Sequence, residues 1–284
     1  MSHKIIRKEQ LSAENFLFEI EARNVSERFK AGQFVIIRLH DSGERIPLTV
    51  AEVNPDPGTV TLIFQVVGKT TAEMSRLNVG DTLANCVGPL GSPTHVDKFG
   101  RVICVGGGTG IACIYPIVKA LATSGNKVLS ILGARTKSLL LLETEMRSYC
   151  VGTHITTDDG SKGRKGFVTD VLAELIDKYA ETDGVQRVFA IGPPLMMKKV
   201  AEVTRPFDIP TIVSLNTIMI DGTGMCGSCR VFIDGKMKLA CIDGPEFDAH
   251  KVNFDDVISR LSMFKEKETK AMNEFLKKKG GRKE

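Results

Sequence analysis

The chain has 284 residues, 42% hydrophobic and 25% charged, an ordinary globular composition that excludes a disordered chain and suits about two domains. No apolar run approaches the ~18–20 residues of a membrane span, and Met1–Gln10 lacks the apolar core of a signal peptide, so a cytoplasmic protein is expected. The net charge of +4 sits in residues 265–284, with seven Lys, one Arg and four Glu; the rest is neutral, which argues against nucleic-acid binding.

Residues 1–98 read as strands and turns. Phe16–Ile20, Phe34–Leu39 and Thr59–Val67 are β-rich runs, and Asn54-Pro-Asp-Pro-Gly58 between two runs signals a hairpin. Arg45-Ile-Pro-Leu-Thr49 falls between a strand and a polar turn, and taken singly it reads as a Pro turn. Val79–Leu83 and Gly88–Gly91 continue the rhythm, and a small antiparallel barrel fits. Thr71–Leu77 reads as a helix, with Gly68, Lys69, Thr70 and Thr71 at its start.

From Gly100 the period changes. Arg101–Val105 is a short buried strand, followed by Gly106-Gly-Gly-Thr-Gly110 and a helical stretch over Ile111–Thr123. Lys127–Leu132 and Arg187–Ile191 are further strands, and the second closes on Gly192-Pro-Pro194. A helix lies within Phe167–Ile176, with Thr169 or Asp170 as its cap. Alternating strands and helices predict a parallel sheet covered on both faces. The segment 212–250 is compact, Gly-rich and Cys-bearing. After it, Asn253 caps a last helix before the basic tail.

Seven cysteines stand at 86, 104, 113, 150, 226, 229 and 241. An odd count with no export signal argues against a disulfide framework, and the apolar settings of Cys104 and Cys113 suit core cysteines. Cys226, Cys229 and Cys241 form the informative group. Cys-x2-Cys suits zinc and iron–sulfur ligation alike. A zinc ribbon has two such knuckles and this chain has one. The loop Asp221-Gly-Thr-Gly-Met-Cys-Gly-Ser-Cys229 also has the glycines that let backbone wrap a 2Fe–2S cluster. Its spacing is that of plant-type ferredoxins, with Asp221 in the first ligand slot. Asp before Gly is equally common as a turn residue.

Gly106–Ile111 follows a strand and opens a helix, the placement that phosphate binding at a helix N-terminus requires. The G-x-G-x-x-G fingerprint is not met, since Ile111 replaces its third Gly, and the next strand runs into Gly133-Ala-Arg135 without a ribose-binding acid. Arg135 is either a partner for an adenosine phosphate or a solvated loop arginine. Thr156-Thr-Asp-Asp-Gly160, with Asp158, either binds ribose hydroxyls or makes a turn.

Taken in order, Arg-x-Pro-Leu-Thr, Gly-Gly-Gly-Thr-Gly-Ile-Ala, Gly192-Pro-Pro and the cysteine loop resemble the ferredoxin–NADP+ reductase superfamily. Within it the chain is similar to electron-transfer subunits that carry FAD and a C-terminal 2Fe–2S cluster. Asp221 and Gly244-Pro-Glu-Phe-Asp248 look most like the small subunits of NADH-dependent reduced ferredoxin:NADP+ oxidoreductases, which are electron-bifurcating transhydrogenases. The cousins are the electron-transfer subunits of dihydroorotate dehydrogenase and of sulfhydrogenase. The resemblance implies a β-barrel FAD-binding domain over 1–98, an α/β parallel-sheet NAD(H)-binding domain over 99–211, a 2Fe–2S segment over 212–250, and a C-terminal helix and basic tail over 251–284.

It also implies roles. Arg45, Pro47, Leu48, Thr49, Phe64, Gln65, Gly68, Lys69, Thr70 and Thr71 would serve FAD. Gly106, Gly108, Thr109, Gly110, Ile111, Arg135, Asp158, Gly192 and Pro193 would serve NAD(H). Asp221, Cys226, Cys229 and Cys241 would hold the cluster. In the superfamily motif the Arg stands three residues before the hydroxyl; here Arg45 stands four before Thr49. The implied reaction passes hydride between NAD(H) and FAD, and single electrons through the cluster to or from a larger flavoprotein subunit. That partner would hold 4Fe–4S clusters and the ferredoxin and NADP(H) sites. A zinc-stabilised nucleotide-binding module without redox activity is the rival of another class.

Overall fold

The computed structural model describes residues 2–280, with the side chains of 278–280 excepted. Met1 and residues 281–284, the end of the basic tail, lie outside the described residues.

The first seven strands form one antiparallel sheet. They are β1 (His3–Gln10), β2 (Asn15–Glu21), β3 (Phe34–Arg38), β4 (Arg45–Asn54), β5 (Thr59–Gln65), β6 (Thr82–Leu83) and β7 (Asn85–Leu90), in the order β6-β1-β2-β5-β4-β3-β7. The end strands β6 and β7 are joined by Ala84 alone, so the sheet must curl back on itself. Its closed interior holds Ile5, Phe18, Ile20, Val35, Ile37, Val50, Leu62 and Phe64. The Asn54–Gly58 turn joins β4 to β5 as expected: Gly58 has φ +77 and its N–H donates to the Asn54 carbonyl at 3.0 Å. The expected turn character of Arg45–Thr49 is corrected, because those five residues are the first half of β4. Their Ile, Leu and Thr suit a pleated strand, which outweighs the single Pro. Two short helices accompany the barrel, α1 (Arg23–Ser26) and α2 (Lys69–Met74).

The second sheet uses β8 (Arg101–Gly107), β9 (Lys127–Ala134), β10 (Gly152–Thr157), β11 (Arg164–Lys165), β12 (Arg187–Ile191) and β13 (Thr211–Ser214). All pair in parallel, in the order β11-β10-β9-β8-β12-β13. The chain winds outward from β8 through β9 and β10, then returns to place β12 on the other side of β8. The carboxyl ends of β8 and β12 therefore flank a topological switch point, where open α/β sheets bind ligands. Alternate residues of β8 serve opposite faces. Val102 and Cys104 pack with α3 (Gly110–Thr123) and α4 (Glu143–Tyr149). Ile103 and Val105 pack with α5 (Val168–Tyr179) and α6 (Pro194–Thr204). The cap of α5 differs from expectation. Phe167 is the capping position, and Asp170 reaches back to accept its N–H at 3.1 Å.

After β13 the chain leaves the sheet edge through the cysteine loop and a hairpin of β14 (Arg230–Ile233) and β15 (Lys236–Leu239). It returns as β16 (Glu246–Asp248), antiparallel to β13. The cysteine segment thus hangs from the sheet at both ends. Asn253 caps α7 (Phe254–Ser262), its side chain accepting the Asp256 N–H at 3.1 Å. A further helix, α8 (Lys265–Gly280), follows where a frayed tail was expected. It lies against α2, and the Arg76 guanidinium stacks 4.3 Å from the Phe275 ring centroid. This contact over about 200 residues of chain has no local sequence signal.

Candidate functional site

Strand β4 organises the site. Residues 45–49 pair with β3 along one edge, Thr49 opposite Phe34 and Arg45 opposite Arg38. On the other edge β4 pairs with β5 only from Val50 onward. Ile46, Pro47, Leu48 and Thr49 are therefore half-exposed on an open edge, and Pro47, which has no N–H, is tolerated there. An apolar, half-covered strand edge beside Gly68 and the first turn of α2, with Lys69, Thr70 and Thr71, has the character of a flat ring's seat. Of these, Thr70 donates a short hydrogen bond to Glu44. Thr71 Oγ1 accepts the N–H groups of Val67 and Gly68 at 3.1 and 3.2 Å. Phe64 turns its ring into the barrel interior against Phe18, with centroids 5.1 Å apart; only its backbone is on the site side. Gln65, one residue on, points the other way.

The glycine-rich turn sits at the switch point and is tied to the barrel. Thr109 Oγ1 donates toward Gln65 Oε1 at 3.0 Å and Asn15 Oδ1 at 3.2 Å. Gln65 in turn donates to Glu14 at 2.7 Å. Arg135 meets the same Glu14 at 3.3 Å across an exposed contact, where an ion pair is worth about 0–1 kcal/mol. α3 packs against β4, and on it burial pushes the Cys113 thiol up. The turn itself is tight. A Cβ on Gly110 would lie 2.2 Å from the Ile191 carbonyl oxygen, and one on Gly107 would lie 2.4 Å from Met196 Sδ. A Cβ on Gly192 would likewise strike Met196. Gly108 differs: it has φ +55 and open space where a side chain would be. Ile111 is fully buried, so its part in any site is its backbone. Asp158 follows β10 at the carboxyl end of the sheet, its N–H bonded to the Ala134 carbonyl, while Pro193 precedes α6 beside Gly192.

The cysteine loop lies at the other end of the β4 edge. Cys229 and Cys241 are buried with their sulfurs 3.2 Å apart. Cys226 is exposed, its sulfur 3.0 Å from Ser228 Oγ. Asp221 Oδ2 accepts the Thr223 N–H at 2.9 Å, the Met225 N–H at 3.4 Å and the Thr223 hydroxyl. These bonds, led by the Thr223 hydroxyl and aided by Arg45, hold its carboxyl below the usual range. Among the described residues no three such side chains converge as a metal site; the loop brings the sulfurs of 229 and 241 together and leaves 226 and 221 on its outer turn.

The donor set nonetheless fits an iron–sulfur cluster. Burial and the facing Cys229 push the Cys241 thiol up to about 12, so this pair cannot carry negative charge without a cation beside it. Gly222, Gly224 and Gly227 all have φ between +66 and +89, the left-handed backbone that sharp turns of a short loop require. Ile220, Met225, Met237 and Ile242 stand exposed around the loop, Met225 at 84%.

One link joins the two ends of the edge. Arg45 Nε donates to the Ile220 carbonyl at 3.0 Å and its Nη2 to the Asp221 carbonyl at 3.3 Å. The guanidinium that the resemblance offers to a flavin donates here to the cysteine loop. Sequence reading also missed Glu14, Asn15 and Ile220, because each acquires its place only through contacts distant in the chain. Asn15 carries a faint signal, a polar residue heading an apolar strand.

A barrel with an open strand edge, a parallel sheet with its glycine turn facing that edge, and an iron-binding thiol loop define a reductase of the ferredoxin-reductase-like class. The comparisons agree. Residues 104–202 match the oxidoreductase NAD-binding domain, and residues 216–253 match the iron-sulfur cluster binding domain of dihydroorotate dehydrogenase B. The chain is 45% identical, over 98% of its length and 97% of the relative's, to the dihydroorotate dehydrogenase B (NAD(+)) electron transfer subunit homolog of Thermotoga maritima. It is 35% identical to the electron transfer subunit of Bacillus caldolyticus dihydroorotate dehydrogenase B, covering 82% of this chain and 90% of that one. A chain of the NADH-dependent reduced ferredoxin-NADP oxidoreductase, solved to study flavin-based electron bifurcation, superposes with a TM-score of 0.90 at 44% identity, covering 97% of this chain and 98% of that one. A Neisseria gonorrhoeae ferredoxin NADP+ reductase, at 18% identity and a TM-score of 0.60 over 73% and 91% of the two chains, shares the fold alone. The chain belongs to the family of dihydroorotate dehydrogenase B electron-transfer subunits. It is an oxidoreductase with an NAD-binding domain and an iron–sulfur-binding segment. Among the described residues no helix is long and apolar enough to cross a membrane.

Proposed function

We propose that this chain passes electrons between NAD(H) and a larger redox subunit, with FAD on the open edge of β4 and a 2Fe–2S cluster in the cysteine loop. The observation that carries the reading is the span of that edge. Strand β4 packs against α3 of the nucleotide domain, where Lys119 donates to Glu52 at 2.8 Å, and its first residue, Arg45, touches the cysteine loop. One ten-residue strand therefore reaches both the nucleotide domain and the cysteine loop. Electron carriers placed on such an edge need no further protein motion to communicate.

The bound flavin would supply the conversion of hydride into single electrons, and the cluster would carry them singly. The chain supplies placement. Ile46, Pro47, Leu48 and Thr49 form the seat, with Gly68 to Thr71 beside it for the diphosphate. Gly106 to Ile111 and Gly192-Pro193 form the switch-point cradle for NAD(H), where Gly108 leaves backbone open to a phosphate. Thr109, bonded to Gln65 and Asn15, keeps that cradle aligned with the barrel. Asp221, Cys226, Cys229 and Cys241 would ligate the cluster. We assign no general base, since hydride transfer needs none.

The similarity of 44–45% to the bifurcating oxidoreductase chain and the Thermotoga homolog, with Asp221 in the first ligand slot, favours a partner that holds 4Fe–4S clusters and takes ferredoxin and NADP(H). The apolar rim of Ile220, Met225, Met237 and Ile242 around the loop suits a permanent partner more than a transient one. The test is composition. The purified chain should contain one FAD, two irons and two acid-labile sulfides. Zinc in place of iron, or absence of flavin, would overturn the reading.

A further inference from the structure

Arg45 stands four residues before Thr49, where the superfamily flavin motif has three, and the structure gives its guanidinium partners elsewhere. Its guanidinium leaves the barrel and donates to two consecutive backbone carbonyls about 175 residues away in the chain, those of Ile220 and Asp221. Residue 221 is the first ligand position of the loop. A planar fork can span two neighbouring acceptors, which a lysine ammonium holds less well. The Asp221 carboxylate is fixed separately by Thr223 and Met225. Arg45 therefore sets where the backbone of residue 221 lies, and the loop sets how its side chain is turned.

We propose that Arg45 is a positioning residue for the iron–sulfur cluster, clamping the Asp221 end of the loop to the flavin strand and raising the cluster's reduction potential through its fixed positive charge. This rests on the cysteine loop being the cluster site. A cation held near a cluster favours the state with one more electron, and net charge and hydrogen bonding are the terms that tune such potentials. Because Arg45 and the flavin seat share one strand, the clamp also fixes the spacing between the two carriers.

The experiment is an anaerobic redox titration of the full-length holoprotein as wild type, Arg45→Lys and Arg45→Met. The cluster is read by electron paramagnetic resonance, and FAD and iron contents are counted. Arg45→Met should keep its FAD, shift the cluster midpoint to more negative potential and lose iron faster in air. Arg45→Lys should return the midpoint toward wild type while still losing iron faster, since charge is restored and the fork is not. Unchanged midpoint and iron retention in both variants would overturn the inference, as would loss of FAD with the cluster unaltered. If Arg45→Met yields no folded protein, Arg45→Lys decides alone: faster iron loss supports the clamp, and wild-type retention contradicts it. Wild-type protein without iron would instead defeat the assignment of the loop.

Discussion

The glycine-rich turn and the cysteine loop both depend on glycine, for opposite reasons. In the turn, Gly107 and Gly110 are required by what surrounds them: a methyl group would drive into Met196 or into the backbone of Ile191. In the loop, Gly227 has nothing within 4 Å of its missing Cβ, yet its φ is +66. The first region is shaped by close packing of strand, helix and neighbouring loop. At Gly227 the second is shaped by backbone handedness alone, while Gly222 and Gly224 of the same loop also pack, against Ile36 and Ile242. The packed region stands on its own contacts, while the more open one gains stability from ligation when a cluster is bound. Gly108 is the point where the first region adopts the second's manner, and there a ligand is expected.

Substitutions should separate the two modes, and the largest effect falls on the open region. Cys226→Ala should abolish iron binding and the cluster's visible absorption while FAD remains at full occupancy, read by metal analysis and spectrum. Loss of flavin together with iron would mean that the sites are not independent. Gly110→Val comes next. It should cost about 3 kcal/mol by overpacking, seen as a lower denaturation midpoint with iron content unaltered in the protein that still folds. Stability equal to wild type would contradict the packing argument.

A third effect lies on the seam between the regions. Glu246, on the strand returning from the cysteine segment, is largely buried and accepts the Thr94 hydroxyl at 2.6 Å. Burial raises its pKa to about 7. The folded state therefore holds this proton more tightly than the unfolded chain. Stability is fully present below the ordinary Glu value and is lost as pH rises toward and through 7, by about 3 kcal/mol. Glu246→Gln should flatten that part of the stability–pH curve; an unchanged slope would show that other groups carry it. The smallest effect is Gly227→Ala, about 1 kcal/mol from the left-handed backbone alone, measured on the iron-free protein. A cost as large as that of Gly110→Val would mean that Gly227 is packed after all.

Much of the fold was legible because its signals are local. The Asn54–Gly58 turn, the buried run Arg101–Val105, the glycine turn opening α3 and the Asn253 cap each announce themselves within a few residues. The cysteine spacing is local too. What escaped reading is long-range. Arg45–Thr49 looked like a turn because Pro47 interrupts it, and only pairing with β3 makes it a strand. Nothing near residue 45 tells that its guanidinium ends on residues 220 and 221, or near residue 265 that a charged tail continues as a helix against α2. Phe64 and Gln65 show the same limit at single-residue scale. Strand alternation separates their directions, but which of them faces the site follows from where α3 docks.

The central claim is that nicotinamide-derived electrons reach the cysteine loop by way of the β4 edge. The direct measurement is an anaerobic visible spectrum during NADH addition, for wild type and Cys226→Ala side by side. The account predicts that flavin and iron–sulfur bands both bleach in wild type, and that the flavin band alone is present and bleaches in the variant. Iron–sulfur bands that bleach while the flavin stays oxidised throughout, or bands that NADH leaves unmoved, would contradict it.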